Sequence, residues 1–292
     1  MRWEDGRRSD NIDDRRDEGG GGGRSTPSIG NLMIIWPLIK PLLRTKFGWA
    51  IIAVGIGAYM MGINPLMLLG GGNHTTTTIK DKALDDKNAQ FISTVLANTE
   101  DVWKKRLRGY SEPVVVLYRG STHSACGKAQ AQVGPFYCPA DAKVYLDLSF
   151  FDELSSQYNA SGDFAQAYVL AHEIGHHIQN LQGTLNKVHQ AKQKWGGDSK
   201  KANALQVKVE LQADCYAGAW AYHAHKDFNI LEAGDVEEAL NAASAIGDDT
   251  LQRKAGQTVR PDGFTHGSSA QRVAWFRKGL ESGDIRVCNT FK

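Results

Sequence analysis

Residues 47–79 contain no Asp, Glu, Lys or Arg, and this uncharged run divides the chain. Its first part, FGWAIIAVGIGAYMMGINPLMLLG, reaches the roughly 20 residues needed to cross a hydrocarbon core. A buried helix of a soluble domain is the competing reading, but five glycines and Pro65 suit such a helix poorly. Lys40, Arg44 and Lys46 precede the run, and no Lys or Arg follows it until Lys80. That bias predicts a cytoplasmic N-terminus with the remainder outside. The run starts late and lacks a clear small-residue cleavage site, so it reads as a single-pass, uncleaved membrane anchor rather than a secretory signal.

The division that follows is a cytoplasmic segment at 1–46, a transmembrane helix at 47–69, a Gly/Thr linker at 70–78 and a domain at 79–292. The opening MRWEDGRRSDNIDDRRDE and the glycines from Gly19 to Gly23 combine low hydrophobicity with mixed charge, which predicts a disordered, solvated tail over 1–31. An apolar run at 32–43, broken by Pro37, Lys40 and Pro41, suits the membrane interface. A net charge of +2 over 292 residues gives no reason to expect a nucleic-acid surface.

In the C-terminal part, apolar periodicity predicts a helix over 79–108, a strand at 113–118, an alternating strand at 143–148 and a helix from 149. The fold class is α+β, a mainly helical domain with a small antiparallel sheet. Val144, Tyr145 and Leu146 are candidates for an edge strand that receives a substrate chain by backbone pairing; an interior structural strand is the alternative. Outside the cytoplasm, cysteines become potential disulfides. Cys126 and Cys138 close a short loop and form the preferred bridge. Cys215 and Cys288 then remain, paired by elimination, unless Cys215 is a small buried core residue.

The stretch 163–183, DFAQAYVLAHEIGHHIQNLQG, carries the chemistry. Phe164, Ala167, Ala171, Ile174, Ile178 and Leu181 recur at steps of three and four, the period of a helix burying one face. Ser161 or Asp163 is expected to cap its start, and Gly183 suits the left-handed residue past its end. Within it lies His172-Glu173-Ile174-Gly175-His176. Four residues make a little over one turn, so both imidazoles project from one side and can grip one ion, while Glu173 is placed to take a proton from water. His177 lies about 100° round the helix from His176 and is expected to be solvated or hydrogen-bonded rather than a ligand.

A catalytic zinc takes three protein ligands and leaves a fourth place open. Glu210 is the preferred third ligand, ahead of His189, His223 or His225. Asp214, one turn on, is placed to accept the other ring N–H of a ligating histidine, His172 for preference. Ala213, Ala217, Gly218 and Ala219 would let this second helix approach the first closely.

HEIGHHIQ, ELQADCYAG and FTHGSSAQRVAWF together resemble the bacterial membrane-anchored family of "putative neutral zinc metallopeptidases". The likeness extends through the MRW…RRSDN…DDRR start, CG…GPFYCPAD…VYLDLSFF and the CNTF ending. It is similar to gluzincin peptidases in pairing HExxH with a later ExxxD. The resemblance implies Zn2+ at His172, His176 and Glu210, with Glu173 catalytic, in a zinc metalloendopeptidase acting on peptides or proteins of the cell envelope. His266, in the FTHGSS turn, resembles a Thr-His element of some membrane-associated gluzincins and is the candidate donor to the developing oxyanion, although a role in capping the helix after it is an equal alternative. Tyr168 and Tyr216 are weaker donor candidates, and Arg272 is a candidate to orient carboxylates or substrate. The rival from another class is an envelope scaffold holding zinc without turnover, which the presence of Glu173 and the lack of a fourth ligand disfavour.

Overall fold

The computed structural model describes residues 1–18, 82–130, 134–158, 160–197 and 199–292. The expected membrane span (47–69) and linker (70–78) lie outside the described residues. No helix among the described residues is long and apolar enough to cross a membrane. In chain order the elements are β1 (Ile12–Asp14), α1 (Lys82–Arg106), β2 (Val114–Tyr118), β3 (Ser121–Ser124), β4 (Gly127–Gln130), β5 (Phe136–Cys138) and β6 (Lys143–Asp147). They continue as α2 (Ser149–Tyr158), α3 (Asp163–Leu181), α4 (Thr184–Lys194), α5 (Lys200–Phe228), α6 (Asp235–Ala245), α7 (Asp248–Lys254) and α8 (Ser269–Ser282).

Phe91, Val95, Leu96, Val102 and Trp103 form the buried stripe of α1, as their spacing predicts. This face meets α3 and α5, whose own apolar residues supply Phe164, Ile174, Ile178 and Trp220, all fully buried. The α5–α8 crossing is close because glycines face backbone. A Cβ on Gly218 would lie 2.0 Å from the Phe276 carbonyl oxygen, and one on Gly279 would lie 2.0 Å from that of Cys215. Beside the crossing, a Cys215–Cys288 disulfide ties the C-terminal turn to α5, and Cys126–Cys138 ties the β3–β4 hairpin to β5.

The main sheet is mixed rather than antiparallel. Its order is β1-β2-β6-β5, with β1, β2 and β6 parallel and only β5 antiparallel to β6. Parallel neighbours need a long connection, and residues 119–142 provide it. In consequence β6 is an interior strand: Val144, Tyr145 and Leu146 pair with β2 on one side, Val144 and Tyr145 also pair with β5 on the other, and all three are buried. They are not an edge to which a substrate chain can add. The edges of this sheet are β1 and β5.

Residues 1–18 are not a free tail. They belong to the same unit as residues 82–292, and β1 extends the sheet by pairing with β2 in register Ile12↔Val115. Met1 and Trp3 are buried, the indole edge-on to Phe91 with ring centres 5.3 Å apart. Composition misled here for a physical reason: the charges are matched to the domain rather than to water. Arg7 reaches Glu100 and Asp101, and Arg16 reaches Asp85 and Asp86. Ser9 and Asn11 also donate to the buried Glu100 carboxylate.

Candidate metal centre

Helix α3 runs as its pattern predicts, with Phe164, Ala167, Ala171, Ile174 and Ile178 buried and Leu181, in the last turn, 42% exposed. Its start is capped from outside. Neither Ser161 nor Asp163 fills the N-cap, which is Gly162. The Glu238 carboxylate of α6 accepts from the Phe164 N–H at 3.0 Å and occupies the space a Gly162 side chain would need. Asp163 receives the Met1 amine instead. Gly183 follows the helix in the left-handed region, with φ 73°.

One turn of α3 and one position on α5 bring three metal-ligating side chains together. His172 Nε2 lies 3.3 Å and His176 Nε2 3.5 Å from Glu210 Oε2, and the ligand atoms of all three fall within 4.8 Å of one another. A tetrahedral zinc with bonds of 2.0–2.1 Å needs neighbouring ligand atoms about 3.3 Å apart. The donor set and its spacing therefore fit a zinc ion. The two helices come this close because Gly175, inside the motif, faces Ala213; a Cβ there would sit 3.0 Å from the Ala213 backbone.

Each ligand is oriented by a second group. Asp214 accepts from His172 Nδ1 at 2.8 Å, from the Tyr168 hydroxyl at 2.6 Å and from Arg272 Nε and Nη2, both at 2.9 Å. His176 Nδ1 donates to Gln179 Oε1 at 2.8 Å, and Gln179 in turn donates to the Val209 carbonyl. Gln206 donates to Glu210 Oε1 at 2.9 Å. Both imidazoles thus hold a proton on Nδ1 and turn Nε2 toward the common point. Burial alone would raise the Asp214 pKa, but Arg272 and His172 hold it far below the carboxylate range. Burial lowers that of His172, and Asp214 with Glu210 overcomes this, raising it to about 9. For Glu210 burial acts upward, and His176 with His172 keeps it well below its ordinary value. Such a site favours bound positive charge, and metal binding there is linked to proton release.

The three ligands line a cavity of about 500 Å³. Glu173, 8% exposed, borders the same space beside Val169, Leu185, Ile246 and Leu251. Phe136 and Tyr137 bring β5 to its wall, whereas Val144, Tyr145 and Leu146 do not reach it. His266 also borders the cavity, on a turn gathered by Asp248. That carboxylate accepts from the backbone N–H of Thr265, His266 and Gly267 at 2.7, 2.6 and 2.9 Å, and its other oxygen lies 3.2 Å from His266 Nδ1. Helix α8 is capped by Ser268 in a capping box with Gln271, so His266 does not serve as its cap. Tyr168 is committed to Asp214, and Tyr216, which donates to Gln182, does not line the cavity. His177 is buried rather than solvated, bonded to the Ser111 carbonyl and the Tyr137 hydroxyl. The other histidines weighed as ligands are elsewhere: His189 accepts from the Gln193 side-chain amide, His223 donates to the Gly283 carbonyl and His225 accepts from the Leu231 N–H.

Gln179 and Asp248 escaped the sequence reading. Gln179 had a legible signal, since it sits three residues after His176 on the same helix face. Asp248 had none, because only the fold brings it to residues 265–267.

Comparison with known proteins adds relatives without an assigned activity. The Escherichia coli K12 "Uncharacterized protein YpfJ" is 45% identical over 295 residues, covering 100% of this chain and 99% of its own length. The Mycobacterium tuberculosis H37Rv "Uncharacterized protein Rv2575" is 43% identical over 204 residues, 66% of this chain and 67% of its own. No solved structure is significantly similar to the chain. A family model, described as "Putative neutral zinc metallopeptidase", matches residues 1–291, and the chain, with its paired histidines and glutamate set at zinc spacing, belongs to that family.

Proposed function

We propose that this protein is a membrane-associated zinc endopeptidase that cleaves peptides or proteins of the cell envelope. The observation that carries the reading is the convergence of His172, His176 and Glu210 at zinc spacing on one wall of a cavity that Glu173 also lines. Zinc held by those residues supplies Lewis acidity toward a water and the scissile carbonyl. The Glu173 carboxylate takes a proton from the attacking water and passes it to the departing amine nitrogen as the C–N bond breaks. His266 donates a hydrogen bond to the carbonyl oxygen as negative charge develops there. Asp214 and Gln179, each fixed by its own hydrogen bonds, accept from the two Nδ1 atoms and keep both imidazoles in one tautomer throughout. Strand β5, the edge that lines the cavity, receives the extended substrate by backbone pairing. Membrane attachment rests on the apolar run 47–69. Two disulfides support a domain in an oxidising compartment.

Glu173→Gln tests the reading. The variant should keep its zinc, measured by metal analysis of the purified protein, and lose peptide cleavage by on the order of 10²–10⁴-fold. Undiminished cleavage would remove Glu173 from the mechanism, and the scaffold reading gains if the wild type, fully loaded with zinc, cleaves nothing in a proteome-wide comparison.

A further inference from the structure

The sequence places residues 1–46 on one side of a membrane and the zinc domain on the other; the packing of residues 1–18 is incompatible with that. These residues are built into the domain at several levels. The Asn11 carbonyl accepts from the Val115 N–H at 2.9 Å, and the Arg15 N–H donates to the Leu117 carbonyl at 2.7 Å, making β1 a full member of the sheet. The Arg2 N–H donates to the Ile230 carbonyl at 2.8 Å, beyond the end of α5. Ser9 and Asn11 donate to Glu100, which is 1% exposed and has Arg7 as its cation. Residues 1–18 thus supply this buried carboxylate with both hydrogen-bond donors and a cation, and a buried charge is tolerated only when so paired. A hydrocarbon core of roughly 30 Å cannot separate partners in direct hydrogen-bond contact.

The exits matter as much as the packing. Arg16, near the end of the first described segment, is ion-paired with Asp85 and Asp86, near the start of the next. The two described ends that flank residues 19–81 thus lie within the reach of one side chain.

We infer that residues 1–18 and 82–292 lie on the same side of the membrane, so the stretch between them returns to the side it left. This rests on the membrane association proposed above. The conclusion is the same whether residues 1–18 come from the same chain or from a second copy, because the docking groove is on the domain in either case.

The test is thiol labelling of the full-length chain in intact cells with a membrane-impermeant maleimide. All four native cysteines are in disulfides, so the background is low. Asp10→Cys reports on the N-terminal segment and Glu281→Cys on the zinc domain; both positions are exposed. Asp5→Cys, also exposed, is a second reporter for the N-terminal segment should Asp10→Cys accumulate poorly. Carbonate extraction of the same cells reports whether the chain is membrane-bound. The inference expects a membrane-bound chain whose two positions behave alike, both modified in intact cells or both only after detergent. A membrane-bound chain with one position modified and the other protected would overturn the same-side placement. A chain released by carbonate would overturn the membrane association on which it rests, while leaving the peptidase reading to the Glu173→Gln experiment.

Discussion

Asp214 shows how much of this site depends on single buried groups. Its carboxylate is fully buried and joins His172, Tyr168 and Arg272, so it orients a metal ligand and neutralises a buried guanidinium at once. Asp214→Asn keeps the shape but removes the charge. Zinc affinity should fall by about 10–100-fold in a chelator competition. Arg272, 2% exposed, would be left without its counter-ion, which typically costs about 3–5 kcal/mol in unfolding free energy. The Asp248–His266 pair makes a pH-dependent contribution whose sign is set by the shifts. His266 is raised above its ordinary 6.5, chiefly by its hydrogen bond to Asp248. Its stabilisation is therefore full below 6.5 and lost as pH rises through the higher folded value. Burial acts to raise Asp248, and bonds to His266 and its neighbours outweigh it, leaving the carboxyl below 3.8; its share is lost only as pH falls through that lower value. His266 is half exposed, so the pair is screened. His266→Gln should lower stability by at most about 1 kcal/mol at pH 6 and have no effect through this pair at strongly alkaline pH, as read by thermal unfolding at both.

At the scale of elements, pattern and topology were legible to different degrees. The period of α3, its closing Gly183 and the stripe of α1 stood in the sequence because a helix buries residues by local spacing alone. The small residues of α5 announced a close approach, but not to what. Ala213 meets Gly175 of α3, while Gly218, about one and a half turns on, meets Phe276 of α8. Adjacent faces of one helix share one composition, so the partner of each was not readable. Strand order was hidden for a related reason. The three residues of β5 carry too little pattern to outrank β6, and one of the two parallel pairings joins β2 to β1, a segment about a hundred positions away. The α5–α8 contact yields a direct prediction. Gly218→Ala forces a methyl group against the Phe276 backbone, and overpacking of this kind costs about 1–3 kcal/mol. Denaturant unfolding should show the loss. Zinc affinity should fall with it, because α5 also carries Glu210 and Asp214.

For the molecule as a whole, the question is whether its first residues belong to the folding unit. Composition says no, because a short, highly charged segment cannot bury a core of its own. The structure shows a segment that borrows the core of residues 82–292, adding Met1 and Trp3 to it and matching its arginines to acids on α1. The two views make opposite predictions for Trp3→Ala. On a solvated tail the change should be neutral, within about 0.5 kcal/mol. For an indole that is 8% exposed and packed edge-on to Phe91, it should cost about 3–5 kcal/mol. A double-mutant cycle with Phe91→Ala, by denaturant unfolding of the detergent-solubilised full chain, separates a specific contact from general loss of apolar area. An edge-to-face pair should show a coupling of about 0.5–1.5 kcal/mol. Strict additivity together with a neutral Trp3→Ala would detach residues 1–18 from the domain, and with them the same-side placement of the two termini.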